Sequence, residues 1–305
     1  MKDKHIIVLF ALVAGAVVAG TVFAAVIVLP ETGARGDSCS LEDTRGRDVA
    51  PASDTMDTGT EQGRSKAVRT LTFSLAASDE ADVVGCVSTG SVTLGVSGDD
   101  RVAVVVTVLG WGSSPETARM EANHLQPVVR VGEGSIAALE RRSFHAFGDD
   151  FAMSVKVLVP PTMLVNADLS TGTGGIVVDG PRLSGLDAST GTGAVQLRPS
   201  YAEGSLDVST GTGGIEARFP GLGNASFDFS TGTSGIRVAV PGDASHGYDV
   251  EASAGTGGVR VELPDMAADN ERGSYEGATR GFSAKPVQVA MDLSSGTGGI
   301  TITTV

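Results

Sequence analysis

Cysteine, histidine, tryptophan and lysine are all scarce in this chain: two cysteines, four histidines and one tryptophan in 305 residues, with only five lysines among 22 basic residues. The histidines His5, His124, His145 and His246 stand apart from one another and from the cysteines, so no zinc-ligand spacing exists. Nucleophile elbow, phosphate loop and dinucleotide fingerprint are all missing, and neighbouring acids such as Asp149 and Asp150 read as solvated turns. Catalysis is therefore not expected; a carbohydrate-active enzyme is the remote alternative, because long β-folds can carry paired carboxylates. Positive charge is also short: 36 acidic residues leave a net charge of −14, which repels nucleic acid and anionic lipid. That balance, with arginine favoured over lysine, fits a salt-adapted or GC-rich source.

Glycine is plentiful, at 42 residues, and from Ser170 onward it recurs in one phrase. The phrase reads STGTGGI at Ser170–Ile176, STGTGAV at Ser189–Val195, STGTGGI at Ser209–Ile215, STGTSGI at Ser230–Ile236, SAGTGGV at Ser253–Val259 and SSGTGGI at Ser294–Ile300. Successive starts lie 19, 20, 21, 23 and 41 residues apart, so one turn has lost its phrase or been replaced by an insertion. Apolar residues flank each phrase at alternate positions: Ala167 and Leu169 before the first, Ile176 and Val178 after it, and equivalents in every repeat. Period two on both sides of a glycine-rich corner means two short strands per repeat. No helical spacing occurs in this part. The expected fold class is all-β: a single-chain β-solenoid, or β-helix, of about 20-residue rungs stacked about 4.8 Å apart. It would carry one short α-helix in an N-terminal cap and be preceded by an N-terminal transmembrane helix.

Two residues before each phrase stands an acid: Asp168, Asp187, Asp207, Asp228, Glu251 and Asp292. Alternation puts all six on the outer face, where stacking makes a ladder of carboxylates. Charges about 5 Å apart repel by roughly 0.8 kcal/mol in water, and several-fold more at an effective dielectric near 20. Three readings would offset this. The acids are solvated and bond the adjacent corner; they hold cations such as Ca²⁺ with help from the phrase hydroxyls; or the protein works in high salt, where screening removes the repulsion. The Thr-Gly-Thr spacing also invites an ice-binding reading, but a glycine-lined corner is a poor flat face, and the threonines read as a β-branched ladder.

At the front, Ile6 to Leu29 is apolar apart from Thr21, 24 residues that would span about 36 Å as a helix. Lys2 and Lys4 precede it, which places the N-terminus in the cytoplasm and the rest outside. The alternative is a signal peptide cleaved near Ala19 to Ala25, giving a secreted protein. The expected organisation is a signal anchor over residues 1–30, a flexible polar tether over 31–65, capping strands and a short helix over 66–165, and the repeats over 166–305. Within the cap, strands are expected at Arg69–Leu75, Ser91–Val96, Arg101–Leu109, Val128–Val131 and Phe151–Val159. Ser114 and Pro115 start a helix there that runs to about Leu125. Cys39 and Cys86 can pair in an oxidising exterior or remain separate thiols. Asn224-Ala225-Ser226 is a sequon for N-glycosylation, expected in a loop.

The run VKVLVPPTMLVNADLSTGTGGIVVDG, preceded by strand, short helix and strand, resembles the putative-adhesin family of uncharacterised bacterial and archaeal β-strand-repeat proteins. The likeness covers roughly residues 68 to 305. The family's phrase often carries an aspartate where this chain has Gly175, Ala194, Gly214, Gly235, Gly258 and Gly299, so no role of that aspartate carries over. Together with the N-terminal span and the missing catalytic motifs, the resemblance leads to the expectation of a membrane-anchored, extracytoplasmic, adhesin-like surface module whose partners are envelope glycans or other surface proteins. A second expectation is self-assembly: Ile300–Val305 reads as a closing strand with an uncovered edge that can template another copy.

Overall fold

Alternation sets the architecture. The structure, a computed structural model, describes residues 46–142, 151–271 and 273–305. The first strands are β1 (Arg47–Asp48), β2 (Ser53–Glu61), β3 (Arg64–Ala76), β4 (Glu80–Thr89), β5 (Val92–Val96) and β6 (Arg101–Gly112). Helix α1 (Pro115–His124) follows, then β7 (Leu125–Gly132), β8 (Ser135–Arg142) and β9 (Phe151–Val159). Each of the first four phrases joins a long strand to a short one: β10 (Leu164–Thr173) to β11 (Ile176–Asp179), β12 (Arg182–Thr192) to β13 (Val195–Arg198), β14 (Tyr201–Thr212) to β15 (Ile215–Arg218), and β16 (Leu222–Thr231) to β17 (Ile236–Val240). The chain closes with β18 (His246–Ala254), β19 (Val259–Glu262), β20 (Met266–Glu271), β21 (Ser274–Thr279), a 3₁₀ turn at Phe282–Ala284, β22 (Val287–Ser295) and β23 (Ile300–Thr304).

These strands form two sheets. The twelve-stranded sheet runs β1-β7-β8-β4-β10-β12-β14-β16-β22-β18-β21-β20, and the eleven-stranded sheet β19-β23-β17-β15-β13-β11-β5-β9-β6-β3-β2. The phrase strands pair with one another in parallel and in phase, so Leu186 meets Leu206 and Ile215 meets Ile236. The inward residues Leu206, Val208, Phe227, Phe229 and Leu293 of the first sheet and Ile215, Ile236 and Ile300 of the second are all buried in one core. Phe219 stacks on Phe227 at 4.7 Å and Phe227 on Phe229 at 5.3 Å. Burial of each such side chain contributes about 1.5–3 kcal/mol.

The solenoid expectation is corrected. Both sheets are mixed: parallel pairing in the middle gives way to antiparallel strands at the ends, with β2, β3 and β6 on one side and the β20–β21 hairpin on the other. Strand order also departs from chain order, because β22 lies between β16 and β18, and β23 between β17 and β19. A single coil stacked rung after rung cannot produce either feature. The residues expected to form a cap instead supply strands to both sheets: β4 and β5 pair with β10 and β11 in the phrase register, Cys86 opposite Ser170 and Val92 opposite Ile176. The transmembrane helix expected over residues 1–30 falls outside the described residues, and among the described residues no helix is long and apolar enough to cross a membrane.

Three local differences have clear causes. Ser53–Glu61, within the stretch read as a tether, forms β2 on the edge of a sheet; it is exposed along nearly all its length, so it has no apolar alternation to read. The 41-residue step is an insertion, the β20–β21 hairpin laid antiparallel on β18. The closing strand β23 is paired on both sides, with β17 and with β19, so the uncovered edge expected at Ile300–Val305 does not exist. Helix α1 starts as expected, with Ser114 Oγ accepting from Thr117 N at 3.2 Å. It lies so close to β6 that a Cβ on Gly110 would stand 2.4 Å from the Ala118 oxygen.

Candidate functional site

The corner of each phrase fixes the rungs to one another. Thr171 Oγ1 donates to the Gly90 oxygen at 2.9 Å, Thr190 to Gly174 at 2.9 Å, Thr210 to Gly193 at 3.0 Å and Thr231 to Gly213 at 2.7 Å. These threonines are buried, so the first Thr of these four phrases is a structural tie. The second threonines, Thr173, Thr192 and Thr212, are exposed in a single file along the corner. Gly174 has φ +144, and a Cβ there would lie 1.7 Å from the Gly90 oxygen; only glycine lets successive corners stack this closely.

Outside the core, the same registers line up the acids. Asp168 lies opposite Asp187, Asp187 opposite Asp207, Asp207 opposite Asp228, Asp228 opposite Asp292 and Asp292 opposite Glu251. The hairpin adds Glu276 opposite Glu251, so seven carboxylates line up from Asp168 to Glu276, and Asp269 follows in register opposite Glu276. Glu276 sits in no repeat phrase, and only the antiparallel register of the insertion brings it into line. Beside the acids runs a file of serines, Ser170, Ser189, Ser209, Ser230, Ser294, Ser253 and Ser274, in the same registers. The acids are exposed, apart from the half-buried Asp187. At one end a shallow groove of about 530 Å³ passes Asp82, Asn166, Asp168, Asp187, Ser205 and Asp207. There Asn166 Nδ2 donates to Asp82 Oδ1 at 3.0 Å. The acids form a line, and among the described residues no group of three or more His, Cys, Asp or Glu side chains is gathered as a metal site.

The other sequence candidates are scattered. Cys86 is buried and disulfide-bonded, with Ser170 Oγ 2.9 Å from its sulfur, while Cys39 lies outside the described residues. Asn224 is not in a loop: it is an exposed residue of β16 whose Oδ1 accepts from Gln288 N at 2.9 Å. The sequence reading missed a Ser, His, Asp cluster before β18. His246 Nδ1 lies 2.9 Å from Asp243 and 3.2 Å from Ser245 Oγ, and its Nε2 faces the Leu222 oxygen at 3.4 Å. Bonds from the Ser245 hydroxyl first, then from His246 and the Ser245 amide, hold the Asp243 carboxyl well below the usual carboxylate range. Ser245 and Asp243 meet the same ring nitrogen, Nδ1, while the far nitrogen faces a carbonyl, whereas a hydrolytic triad holds its serine and its acid on opposite nitrogens. The cluster ties a turn to β16.

The molecule is thus an all-β, two-sheet protein with one outer face ruled by carboxylates and serines. No family model and no curated protein matches the chain. Solved structures similar to it include a putative cell adhesion protein from Clostridium sporogenes, 12% identical, with a TM-score of 0.46, covering 83% of this chain and 99% of that one. A putative adhesin from Bacteroides fragilis is 13% identical at a TM-score of 0.33, covering 77% and 97%. A putative lipid binding protein from Parabacteroides distasonis is 12% identical at a TM-score of 0.33, covering 77% and 96%.

Proposed function

We propose that this protein is an adhesin-like interaction module of the cell surface, binding rather than catalysing. The observation that supports this most is the file of seven carboxylates, held at strand spacing on a sheet whose other face is solid core. Charges fixed by a β-ladder lose little side-chain freedom on binding, which favours recognition of extended partners bearing amines or many hydroxyls, such as envelope glycans or surface proteins. The disulfide at Cys86 supports an extracytoplasmic location, since such bonds persist in oxidising compartments. Its partner in this reading is Cys39, the only other cysteine.

The test is binding of the full chain to a glycan array and to intact envelopes, beside an Asp228→Asn, Asp292→Asn, Glu251→Gln variant. The substitutions keep shape and remove charge, so the variant is expected to lose most of the binding. Equal binding by both chains would refute the reading. Thiol titration of the denatured, unreduced chain should find no free thiol; two would remove the support for export.

A further inference from the structure

The outer face of the long-strand sheet changes character at β4 and β8. In the register of the acid file, Val84 lies opposite Asp168 and Ala137 opposite Val84; in the register of the serine file, Cys86 lies opposite Ser170 and Leu139 opposite Cys86. Val84, Cys86, Ala137 and Leu139 form an apolar cluster of their own, while the alternate residues Val83, Val87, Ile136 and Ala138 point the other way into the main core. A patch on the outer face of a sheet is ordinarily wet. Here Cys86 and Leu139 are each 1% exposed and Ala137 5%. A leucine standing up from a sheet is not hidden by its in-sheet neighbours alone, so something lies across it. Among the described residues, the elements in substantial contact with β8 are β7 and β4, its own sheet neighbours.

The chain ahead of β1 is within reach of this patch. Cys86 is disulfide-bonded and Cys39 is the only other cysteine. The described chain enters at Gly46, where a Cβ would stand 2.8 Å from the Val131 oxygen, so its start is fixed against β7. The pairs Arg47 with Val131, Val131 with Ile136 and Ile136 with Val83 carry one register from β1 to β4. Cys86 is therefore three strands across and three residues along from Arg47, about 18 Å away. The eight steps from Cys39 to Arg47 extend to about 26 Å, enough to cover that distance and the roughly 5.5 Å between bridged Cα atoms. Leu41 is the only large apolar residue in residues 37–45. Two steps from Cys39 set it back from β4 by about 6 Å, over β8. We propose that residues 37–45 form a strap across the outer face of β7, β8 and β4, locked by a Cys39–Cys86 bond and seated by Leu41 on Ala137 and Leu139. The proposal rests on the cysteine pairing put forward above. The strap makes the polar stretch ahead of β1 part of the folded domain, and it closes the carboxylate face at Val84. A dithiol that reduces the bond gives up two electrons and two protons, becomes a disulfide and leaves two thiols; the strap then lifts and bares an apolar surface.

The experiment is hydroxyl-radical labelling of the full chain in non-ionic detergent, read residue by residue by mass spectrometry, with the wholly buried Leu206 as the internal reference. In the unreduced parent, Leu139 should be labelled as slowly as Leu206. Three chains should free it: the parent treated with dithiothreitol, Cys39→Ser without reductant, and Leu41→Asp with its disulfide intact. In each, labelling of Leu139 is expected to rise at least about fivefold while Leu206 stays protected, as a local opening requires. Peptide mapping of the unreduced parent separates this proposal from the reading beneath it. Without a linked Cys39–Cys86 peptide both fall. With that peptide present, a Leu139 that stays protected in all three chains overturns the strap alone, because something else then covers the patch. A joint rise of Leu139 and Leu206 in all three overturns it too, since the bond and Leu41 would then hold the core itself.

Discussion

Thr210 is the clearest single-residue test of how the rungs are tied. Its hydroxyl is buried and donates to the Gly193 oxygen, so Thr210→Val keeps the shape and strands that carbonyl. The loss should be about 1–3 kcal/mol in urea unfolding, and no change would show that water replaces the tie. Gly174→Ala should do more harm, about 3 kcal/mol or above, because both the +144 φ and the 1.7 Å approach to Gly90 exclude a Cβ. Asp243 yields a pH prediction. Its folded carboxyl titrates below the ordinary value, so its stabilisation is complete above about pH 4 and is lost as pH falls toward that lower value. The difference in melting temperature between the parent chain and Asp243→Asn should shrink below about pH 4. A difference that stays constant in acid would mean that the Ser245 and His246 contacts do not act through charge.

Among the elements, α1 is held by its cap and by glycine. Removing the Ser114 hydroxyl should cost about 1 kcal/mol, or about 2–4 °C in melting temperature for a protein of this size. Gly110→Ala should lift the helix from β6 and expose the sheet beneath it, read as protease cleavage near residues 115–124. The sequence made most of the repeat legible at this scale: period two before and after each phrase correctly separated the inward Leu206 and Val208 from the outward Asp207. It did not reveal the order of the rungs, because β18 and β22 carry interchangeable phrases and either fits against β16. One residue does distinguish them. Ala254 replaces the hydroxyl residue of the phrase, whereas Ser295 keeps it and donates to Ser234 at 2.8 Å, so the hydroxyl-bearing rung takes the inner place. Strands such as β2 escape notice because edge strands exposed on both faces have no apolar period. The acid file was readable from spacing, but Glu276 was not, since pairing across an insertion leaves no repeat in the sequence.

For the whole molecule, the charge pattern governs response to salt. A file of like charges at strand spacing stores repulsion, which screening relieves. The melting temperature of dilute protein should therefore rise with salt, and the rise should be smaller in the Asp228→Asn, Asp292→Asn, Glu251→Gln chain. Equal slopes would place the salt effect elsewhere on the surface.

The inboard position of β22 and β23 bears on how the molecule is made. Synthesis is vectorial, so β18 and β19 exist before the strands that must separate them from β16 and β17. During that interval a matching phrase is available at an open edge, and β18 can dock there in the register later used by β22. Such a chain is a kinetic trap: its alternation is satisfied, yet the final rung has no place until the premature pair opens. Ala254 weakens the trap, because without a hydroxyl it cannot tie to Ser234. Ala254→Ser is accordingly expected to add a slow refolding phase while leaving the native strand order unchanged, and single-phase refolding identical to the parent would show that β18 waits unpaired.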